Sequence, residues 1–359
     1  MVGKFRFNVK FSDLDINDAF FDSLKDDYPE FPQWYQKKAS EGATTFVFCD
    51  DEGLGAFMYL KSEDEPIELE KHILPAISRK KIGTLKLADR YQGQRLGEGA
   101  LGIALWNWRK TKEEEIYVTV FEKHTLLVKL LERYGFCLAG YKKNGECVYS
   151  KSRINVDYSD PYKSFPFINP VFNSSGYLLI DDIYHDTLFP YSELKNTHQE
   201  SVALSVANGF TKIYVGSPTS AYPYRVGDPI LICRKYTGDV GQPGFKSCVT
   251  SYCVITDIIV IKEKNKYRMP FDELLGRIRN KSVFDEQELK SKYDNERNLT
   301  IVEMLYYGYF GAGNNVNWVW LKENNFWGDG YPTTKELTQD QFKAILTEGR
   351  VDVQNIIID

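Results

Sequence analysis

Short runs of β-branched and aromatic residues in the first 150 positions are separated by polar breaks, a pattern typical of strands. The acidic segment Asp50–Gly53 predicts a hairpin turn between two of these runs, so an antiparallel meander is expected. Two amphipathic stretches, at 18–28 and 31–42, predict helices after the first strand. The predicted strands span 5–11, 44–51, 54–60 and 82–89.

Two further helices are predicted from apolar residues that recur on one face. The first follows Gly97, and the second spans 124–134 and is expected to stop at Gly135. A strand at 116–121 lies between them, and 136–151 predicts a closing hairpin. The apolar positions are Leu101, Ala104, Leu105 and Trp108 in the first helix and Leu127, Leu130, Leu131 and Tyr134 in the second.

The character of the chain changes between 152 and 177, where prolines lie among Asn, Ser and aromatic residues, as in an irregular connector. We therefore predict a first domain at 1–153, a connector at 154–200 and a second domain at 201–359. Short strands with few helices predict a small, mostly-β barrel for the second domain. Its predicted strands span 212–218, 228–236, 251–261 and 298–310, and its predicted helices span 201–210, 284–293 and 338–349.

Composition narrows the class of protein. A chain of 359 residues with 43% hydrophobic and 14% aromatic content is too long for one core and too apolar for a disordered chain. A net charge of -5 argues against a protein that coats nucleic acid through its overall charge. The chain has neither the apolar run of a membrane span nor the start of a signal peptide, so we expect a cytoplasmic protein. The scattered cysteines are expected to be reduced, and His185 has no second histidine at ligand spacing, so no metal is expected.

The segment KLADRYQGQRLGEGALGIAL ends a strand, makes a Gly-rich turn and opens a helix. Backbone N–H groups at such a turn lack intrahelical partners, and the helix dipole adds positive potential, so a pyrophosphate can bind there. The turn follows antiparallel strands, unlike a dinucleotide-binding βαβ unit, and it lacks the GK[ST] ending of a phosphate-binding P-loop.

These residues resemble the GNAT superfamily of acetyltransferases, whose acyl-CoA motif Q/R-x-x-G-x-G/A corresponds to Gln92–Gly97. A second family motif, N-x-x-A-x-x-L-Y-x-K-x-G-F, is similar to His124–Phe136. The resemblance covers about 5–151 and implies an α+β fold, with a mixed, mostly antiparallel sheet flanked by helices. It also implies acetyl-CoA as donor, bound by Leu87, Ala88, Gln92, Gly93, Gln94, Arg95, Leu96, Gly97, Glu98 and His124.

The sequence departs from the family pattern at two positions. Arg95 replaces a glycine, where its guanidinium could contact a phosphate or simply be solvated. Leu131 replaces the tyrosine that in the family reprotonates the leaving thiolate. His124 and Tyr134 are the candidate replacements, although Tyr134 also fits a core position. Asp89 is the candidate general base, with a turn-forming role as its alternative.

The second domain resembles, over short motifs, PUA-like folds of the ASCH kind, which carry a Gly-Asp turn such as Gly227–Asp228 before a strand. Such folds commonly bind RNA or modified bases. The segment 210–281 contains twelve Lys and Arg but only six Asp and Glu. This local excess of six positive charges favours an anionic partner. The candidate RNA contacts are Tyr222, Tyr224, Arg225, Arg234 and Lys235, which alternatively stabilise a small barrel.

The sequence thus predicts an acetyl-CoA-dependent N-acetyltransferase whose acceptor could be RNA, tRNA or aminoacyl-tRNA delivered by the second domain. Two alternatives stay open. The first domain could act as an acyl-CoA sensor fused to a nucleic-acid-binding module, or the acceptor could be a protein or small-molecule amine.

Overall fold

A computed structural model describes residues 5–192, 194, 205–238, 246–328, 332 and 335–358. The chain divides into two compact units, Met1–Asn155 and Val156–Asp359. Both combine sheets with helices, which confirms the predicted α+β class. None of the helices within the described ranges combines the length and apolar character that crossing a membrane requires.

The first unit is built on a seven-stranded sheet in the order β1-β2-β3-β6-β7-β9-β8. Its strands are β1 Phe5–Lys10, β2 Thr44–Asp50, β3 Gly53–Glu63, β6 Arg79–Leu87, β7 Glu115–Val120, β8 Cys137–Tyr141 and β9 Cys147–Ser152. A separate hairpin pairs β4 Ile67–Glu68 with β5 Ile73–Leu74. The helices of the first unit are α1 Asp22–Asp27, α2 Phe31–Ser40, α3 Leu96–Arg109 and α4 Thr125–Arg133.

Helices cover both faces of this sheet. On one face, Phe57 and Tyr59 of β3 pack into an aromatic cluster with α2 and the segment before α1, which makes this the α1–α2 face. On the other, a Cβ at Gly97 of α3 would lie 3.2 Å from Leu87 Cδ1 and 3.9 Å from Leu130 Cδ2 of α4. This is the α3–α4 face, and α3 is buried on nearly every side.

The strand and helix patterns predicted most of these elements, with three differences. The strand predicted at 82–89 begins earlier, at Arg79, and ends at Leu87. The helix predicted at 18–28 consists of a 3-10 turn, Ala19–Phe21, followed by α1. The β4–β5 hairpin was not predicted, because each of its strands has only two residues and no periodicity to read.

The second unit contains a sheet in the order β10-β12-β13-β15-β11, with β14 and β16 paired to β13. Its strands are β10 Tyr177–Asp181, β11 Thr211–Gly216, β12 Pro229–Lys235, β13 Cys248–Glu263, β14 Lys266–Tyr267, β15 Leu299–Tyr309 and β16 Val316–Asn317. Its helices are α5 Pro161–Ser164, α6 Asp182–Leu188, α7 Ser205–Asn208, α8 Phe271–Ile278, α9 Glu286–Asn295, α10 Trp318–Glu323 and α11 Gln339–Glu348.

Three features of the second unit differ from the simple predicted pattern. Strand β10 and helix α6 fall within 154–200, the predicted connector, and β10 pairs in parallel with β12. Helix α8 was not predicted from the sequence. Of the helix predicted at 201–210, residues 201–204 lie outside the described residues, and helical structure is seen at Ser205–Asn208.

Candidate active site

A gap opens inside the sheet of the first unit, between two neighbouring parallel strands. The pairing of β6 with β7 runs from Arg79–Glu115 to Ile82–Val118, where the described ladder stops. Strand β6 continues to Leu87 along β3 only, five further residues or about 17 Å. Backbone N–H and C=O groups that face the gap need hydrogen-bond partners. We call this gap the wedge; its closed end lies at Ile82 and its open end at Leu87.

A register shift in β6 coincides with the point where the wedge opens. Leu60 of β3 pairs with Ile82 and Tyr59 pairs with Thr84, so Gly83 is an extra residue. Such an insertion bends the strand and increases its twist, and it lies directly after the last residue that pairs with β7. A Cβ at position 83 would lie 3.1 Å from Tyr59 Cδ1, so glycine permits the close approach.

The Gly-rich turn and the N-terminus of α3 lie at the open end of the wedge. Gly93 has φ of 75° and Arg95 has φ of 61°, both in the left-handed region. The first helical hydrogen bond runs from Gly99 N–H to Arg95 O at 3.1 Å, so the N–H groups of Leu96 and Gly97 precede it. A side-chain cap on this helix is absent among the described residues. These outward N–H groups and the helix dipole suit an anionic ligand.

Glu98 holds the turn together from within the first turn of α3. Its Oε2 accepts hydrogen bonds from Arg95 Nε at 3.0 Å and Nη2 at 2.9 Å. Its Oε1 accepts one from the Tyr134 hydroxyl at 3.0 Å. The Arg95–Glu98 pair is largely buried, so it is screened less than a surface pair.

The turn is also anchored to the β2–β3 hairpin through Asp50, which the sequence did not identify. Arg90 Nη2 donates to Asp50 Oδ1 at 2.9 Å, and the Tyr91 hydroxyl donates to Asp50 Oδ2. These donors hold the pKa of Asp50 below its usual value against desolvation, and desolvation with the same contact raises the pKa of Tyr91 to about 12. Acidic turns are common, so no sequence signal marked Asp50.

The predicted donor-site residues lie together around this turn. Leu87 ends β6, Ala88 precedes the 3-10 turn Asp89–Tyr91, and Gln92 and Gln94 are exposed beyond it. Asp89, predicted as a general base, is exposed at the open end of the wedge, and its backbone O accepts from Gln92 N–H at 3.0 Å.

The two predicted general acids lie in different environments. His124 is exposed just before α4, where its backbone N–H donates to Phe121 O at 3.0 Å. Tyr134 directly follows α4, with its side chain 0% exposed and its hydroxyl bonded to Glu98. Leu131 is likewise buried. The structure therefore brings Tyr134, Glu98 and Arg95 together at the Gly-rich turn before α3.

A polar pair lies on the α1–α2 face, where Tyr28 follows α1. Its hydroxyl donates to Glu146 Oε1 at 3.3 Å, and its ring stacks on Phe121 with centroids 6.2 Å apart. Glu146 is 6% exposed and also accepts from Asn144 Nδ2 at 2.9 Å. Desolvation, reinforced by the Glu146 carboxylate, raises the pKa of Tyr28 to about 12. The two residues are 118 positions apart, and no local pattern links them.

The candidate RNA contacts of the second unit differ in accessibility. Tyr224 is buried, with its hydroxyl 3.3 Å from Lys335 O, and Tyr222 stacks beside it. Arg234 is 9% exposed, and its Nε donates to Asp186 Oδ1 at 2.9 Å. Lys235 forms an ion pair with Asp181 at 3.0 Å, and Arg225 is exposed.

His185 lies in the same network as Arg234. Its Nδ1 is 2.8 Å from Asp186 Oδ1, its Nε2 is 2.7 Å from Thr250 Oγ1, and the side chain is wholly buried. Burial lowers its pKa despite the neighbouring carboxylate. Both ring nitrogens have hydrogen-bond partners, as in a structural histidine.

Acetyltransferases and an ASCH protein are among the solved structures similar to parts of this chain. A GNAT-family acetyltransferase from Listeria monocytogenes is 21% identical, covering 42% of this chain and 94% of that chain, with a TM-score of 0.31. PaiA N-acetyltransferase from Thermoplasma acidophilum, solved with coenzyme A, is 16% identical, covering 42% and 99%, with a TM-score of 0.31. A mutant ASCH protein from Zymomonas mobilis is 10% identical, covering 48% and 94%, with a TM-score of 0.32. No family model and no curated protein matches the chain.

Proposed function

We propose that the first unit is an acetyl-CoA-dependent N-acetyltransferase. The observation that carries the proposal is the wedge between β6 and β7, together with the α3 N-terminus at its open end. A ligand with a pyrophosphate joined to an extended arm that carries amide groups matches both features. Coenzyme A has these two parts in this order.

The Gln92–Gly97 turn would hold the pyrophosphate. The N–H groups of Leu96 and Gly97 point out of the helix start, and the dipole of the 14-residue α3 adds positive potential. Gly93 allows the left-handed turn, and a Cβ there would meet nothing within 4 Å, so its role is conformational. The Arg95 guanidinium is engaged by Glu98, so its backbone N–H would be its main contribution.

The wedge would hold the arm. Amide groups of an extended ligand could pair with the backbone groups of β6 beyond the end of the β6–β7 ladder, as an added strand would. The reactive end would then lie near the closed end, at Ile82 and Val118. When bound, acetyl-CoA supplies an activated acetyl thioester at that point.

The α1–α2 face would receive the acceptor amine. Tyr28 and Glu146 lie on this face, and Tyr28 remains a proton donor at neutral pH because its pKa is raised to about 12. Glu146 can accept a hydrogen bond from an amine, directly or through water. Its position makes it a general-base candidate in addition to Asp89. His124, at the start of α4, and Tyr134 both stay candidates for the general acid, since Leu131 occupies the family's acid position.

Action on RNA, tRNA or aminoacyl-tRNA is a finer part of the proposal. It is supported by the excess of six positive charges between 210 and 281 and by the exposed Arg225. The alternative of an acyl-CoA sensor is supported by the apolar Leu131 at the family's acid position. Turnover separates these two functions.

The test measures binding of acetyl-CoA by calorimetry and release of the CoA thiol, with and without total cellular RNA. Gly97→Trp places an indole against Leu87 and should abolish both. Gly276→Trp is the matched control, because a Cβ at that exposed helical position meets nothing within 4 Å. Circular dichroism of both variants checks that each one folds.

Each outcome decides between functions. Release that requires RNA and is lost in Gly97→Trp supports an RNA acetyltransferase. Release with simple amines supports the small-molecule or protein acceptor, and tight binding without release under any condition supports the sensor. Failure of the wild-type protein to bind acetyl-CoA, or equal binding by folded Gly97→Trp, would overturn the proposal.

A further inference from the structure

Lys81 presents an ammonium group at the closed end of the wedge. It lies one residue before the last β6–β7 pair, opposite Tyr117 of β7 and Lys61 of β3. Tyr59 lies on the α1–α2 face, and Lys61 follows it by two positions in β3, so Lys61 points to the same face. Lys81 is the direct partner of Lys61 and therefore shares that face. The Lys81 Nζ lies 5.2 Å from the Tyr117 ring centroid, and the residue is half-buried.

The carboxylates near Lys81 are already paired with other groups. Glu63 forms an ion pair with Lys61 at 2.5 Å. Glu146 accepts from Tyr28 and Asn144, and its Oε2 lies 3.7 Å from Lys142 Nζ. Within the described ranges, Lys81 Nζ has no carboxylate oxygen within 4.0 Å. The four charged neighbours of Lys81 cancel in pairs, so they leave its own positive charge unbalanced.

A half-buried ammonium without an ion pair is destabilised by desolvation. Burial is the first cause that lowers the pKa of Lys81, with the positive charges of Lys61 and Lys142 adding to it and Glu63 and Glu146 opposing it. The contact with the Tyr117 ring compensates only in part. An anion that binds at this position would recover the lost interaction.

We propose that Lys81 binds an anionic group, a carboxylate or a phosphate, that the acceptor carries near its amine. This inference rests on the proposed function, because the amine must reach a thioester at the closed end of the wedge. Lys81 then selects among acceptors and takes no part in proton transfer. Its charge and position matter, so Lys81→Arg should retain part of the selectivity and Lys81→Met should lose it.

The experiment compares amines that differ only in the anionic group. β-Alanine is paired with β-alaninamide, and O-phosphoethanolamine with ethanolamine, which also distinguishes carboxylate from phosphate. For the wild-type protein we expect the KM of at least one anionic member to be roughly tenfold or more below that of its neutral partner. In Lys81→Met we expect this ratio to fall toward one through a change in KM.

A matched control removes one positive charge elsewhere. Lys129 is exposed on α4, on the α3–α4 face, so Lys129→Met changes the net charge equally and should leave the ratio unchanged. Binding of the same probes to the CoA-loaded protein by calorimetry gives an answer even without turnover. Tighter binding of an anionic probe, lost in Lys81→Met, supports the inference.

The result that overturns the inference is distinct from failure of the proposed function. If the protein binds acetyl-CoA but prefers no anionic probe, or if Lys81→Met keeps the preference, the anion site at Lys81 is wrong while the acetyltransferase stands. If the wild-type protein binds no acetyl-CoA, the proposed function itself fails, and the anion site at Lys81 fails with it.

Discussion

The Tyr134 hydroxyl donates a hydrogen bond to Glu98 Oε1 at 3.0 Å, which links the end of α4 to the first turn of α3. Glu98 in turn binds Arg95, so one carboxylate connects the turn, α3 and α4. Because the Tyr134 side chain is 0% exposed, we interpret it as a residue that positions the turn.

Tyr134→Phe tests this interpretation. Loss of the bond leaves a buried carboxylate oxygen short of a donor, so we expect about 1–2 kcal/mol lower stability and a several-fold higher KM for acetyl-CoA. Steady-state kinetics and denaturant unfolding measure both. A fall in kcat of about 100-fold with unchanged KM would instead support the predicted general-acid role.

Arg95→Gly should cost little stability despite the loss of an ion pair. Arginine in the left-handed region carries a strain of about 1–2 kcal/mol, which glycine removes and which offsets the lost contact with Glu98. Arg95→Ala loses the ion pair but keeps the strain, so it should be less stable than Arg95→Gly. Equal unfolding midpoints for the two variants would contradict this account.

Tyr28→Phe should lower kcat/KM for the acceptor without removing a limb of the pH profile. The pKa of Tyr28 is raised to about 12, so the hydroxyl stays protonated up to about pH 10, roughly two pH units below that value. Glu146→Gln, which keeps the size but removes the charge, is the companion variant. If the Tyr28→Phe variant lost an ionisation that the wild-type pH profile shows, the Tyr28 hydroxyl would titrate within the measured range, against this expectation.

Because of His185, we expect the free energy of unfolding to fall in mild acid. Its pKa is lowered in the folded state from 6.5, so the unfolded chain binds the proton more readily, and stability falls as the pH drops below 6.5. The limiting slope is about 1.4 kcal/mol per pH unit. Denaturant unfolding between pH 5 and pH 8 measures this slope, and His185→Gln should flatten it; an unchanged slope would assign the loss to other groups.

The candidate RNA contacts can be separated by accessibility. Arg225 is exposed, so Arg225→Ala should leave stability unchanged and weaken any RNA binding, with a smaller salt dependence. Arg234→Ala should lower stability by about 1.5–3 kcal/mol, because it removes two charged hydrogen bonds to Asp186 and leaves His185 as the remaining partner of that carboxylate. Filter binding at several salt concentrations and thermal unfolding measure these effects. RNA affinity that depends on neither arginine would place the contact elsewhere.

Local patterns determined the elements around the turn. The spacing of Leu101, Ala104, Leu105 and Trp108 predicted α3, and the Gly-rich segment predicted a tight turn before it, because both depend on residues a few positions apart. The structure confirms the helix, and Gly93 has the positive φ that a tight turn requires. The α+β class, which the family resemblance implied, is also confirmed.

Only the tertiary structure decided which groups face one another. The wedge depends on which strands pair and where Gly83 shifts the register. Tyr28 meets Glu146 across 118 positions, and Lys81 is left without a carboxylate in the described ranges because its neighbours pair among themselves. Burial of Tyr224 and Arg234 likewise depends on long-range packing. Composition and spacing identify residue types, whereas desolvation and pairing, which determine what those residues can do, arise only when distant segments come together.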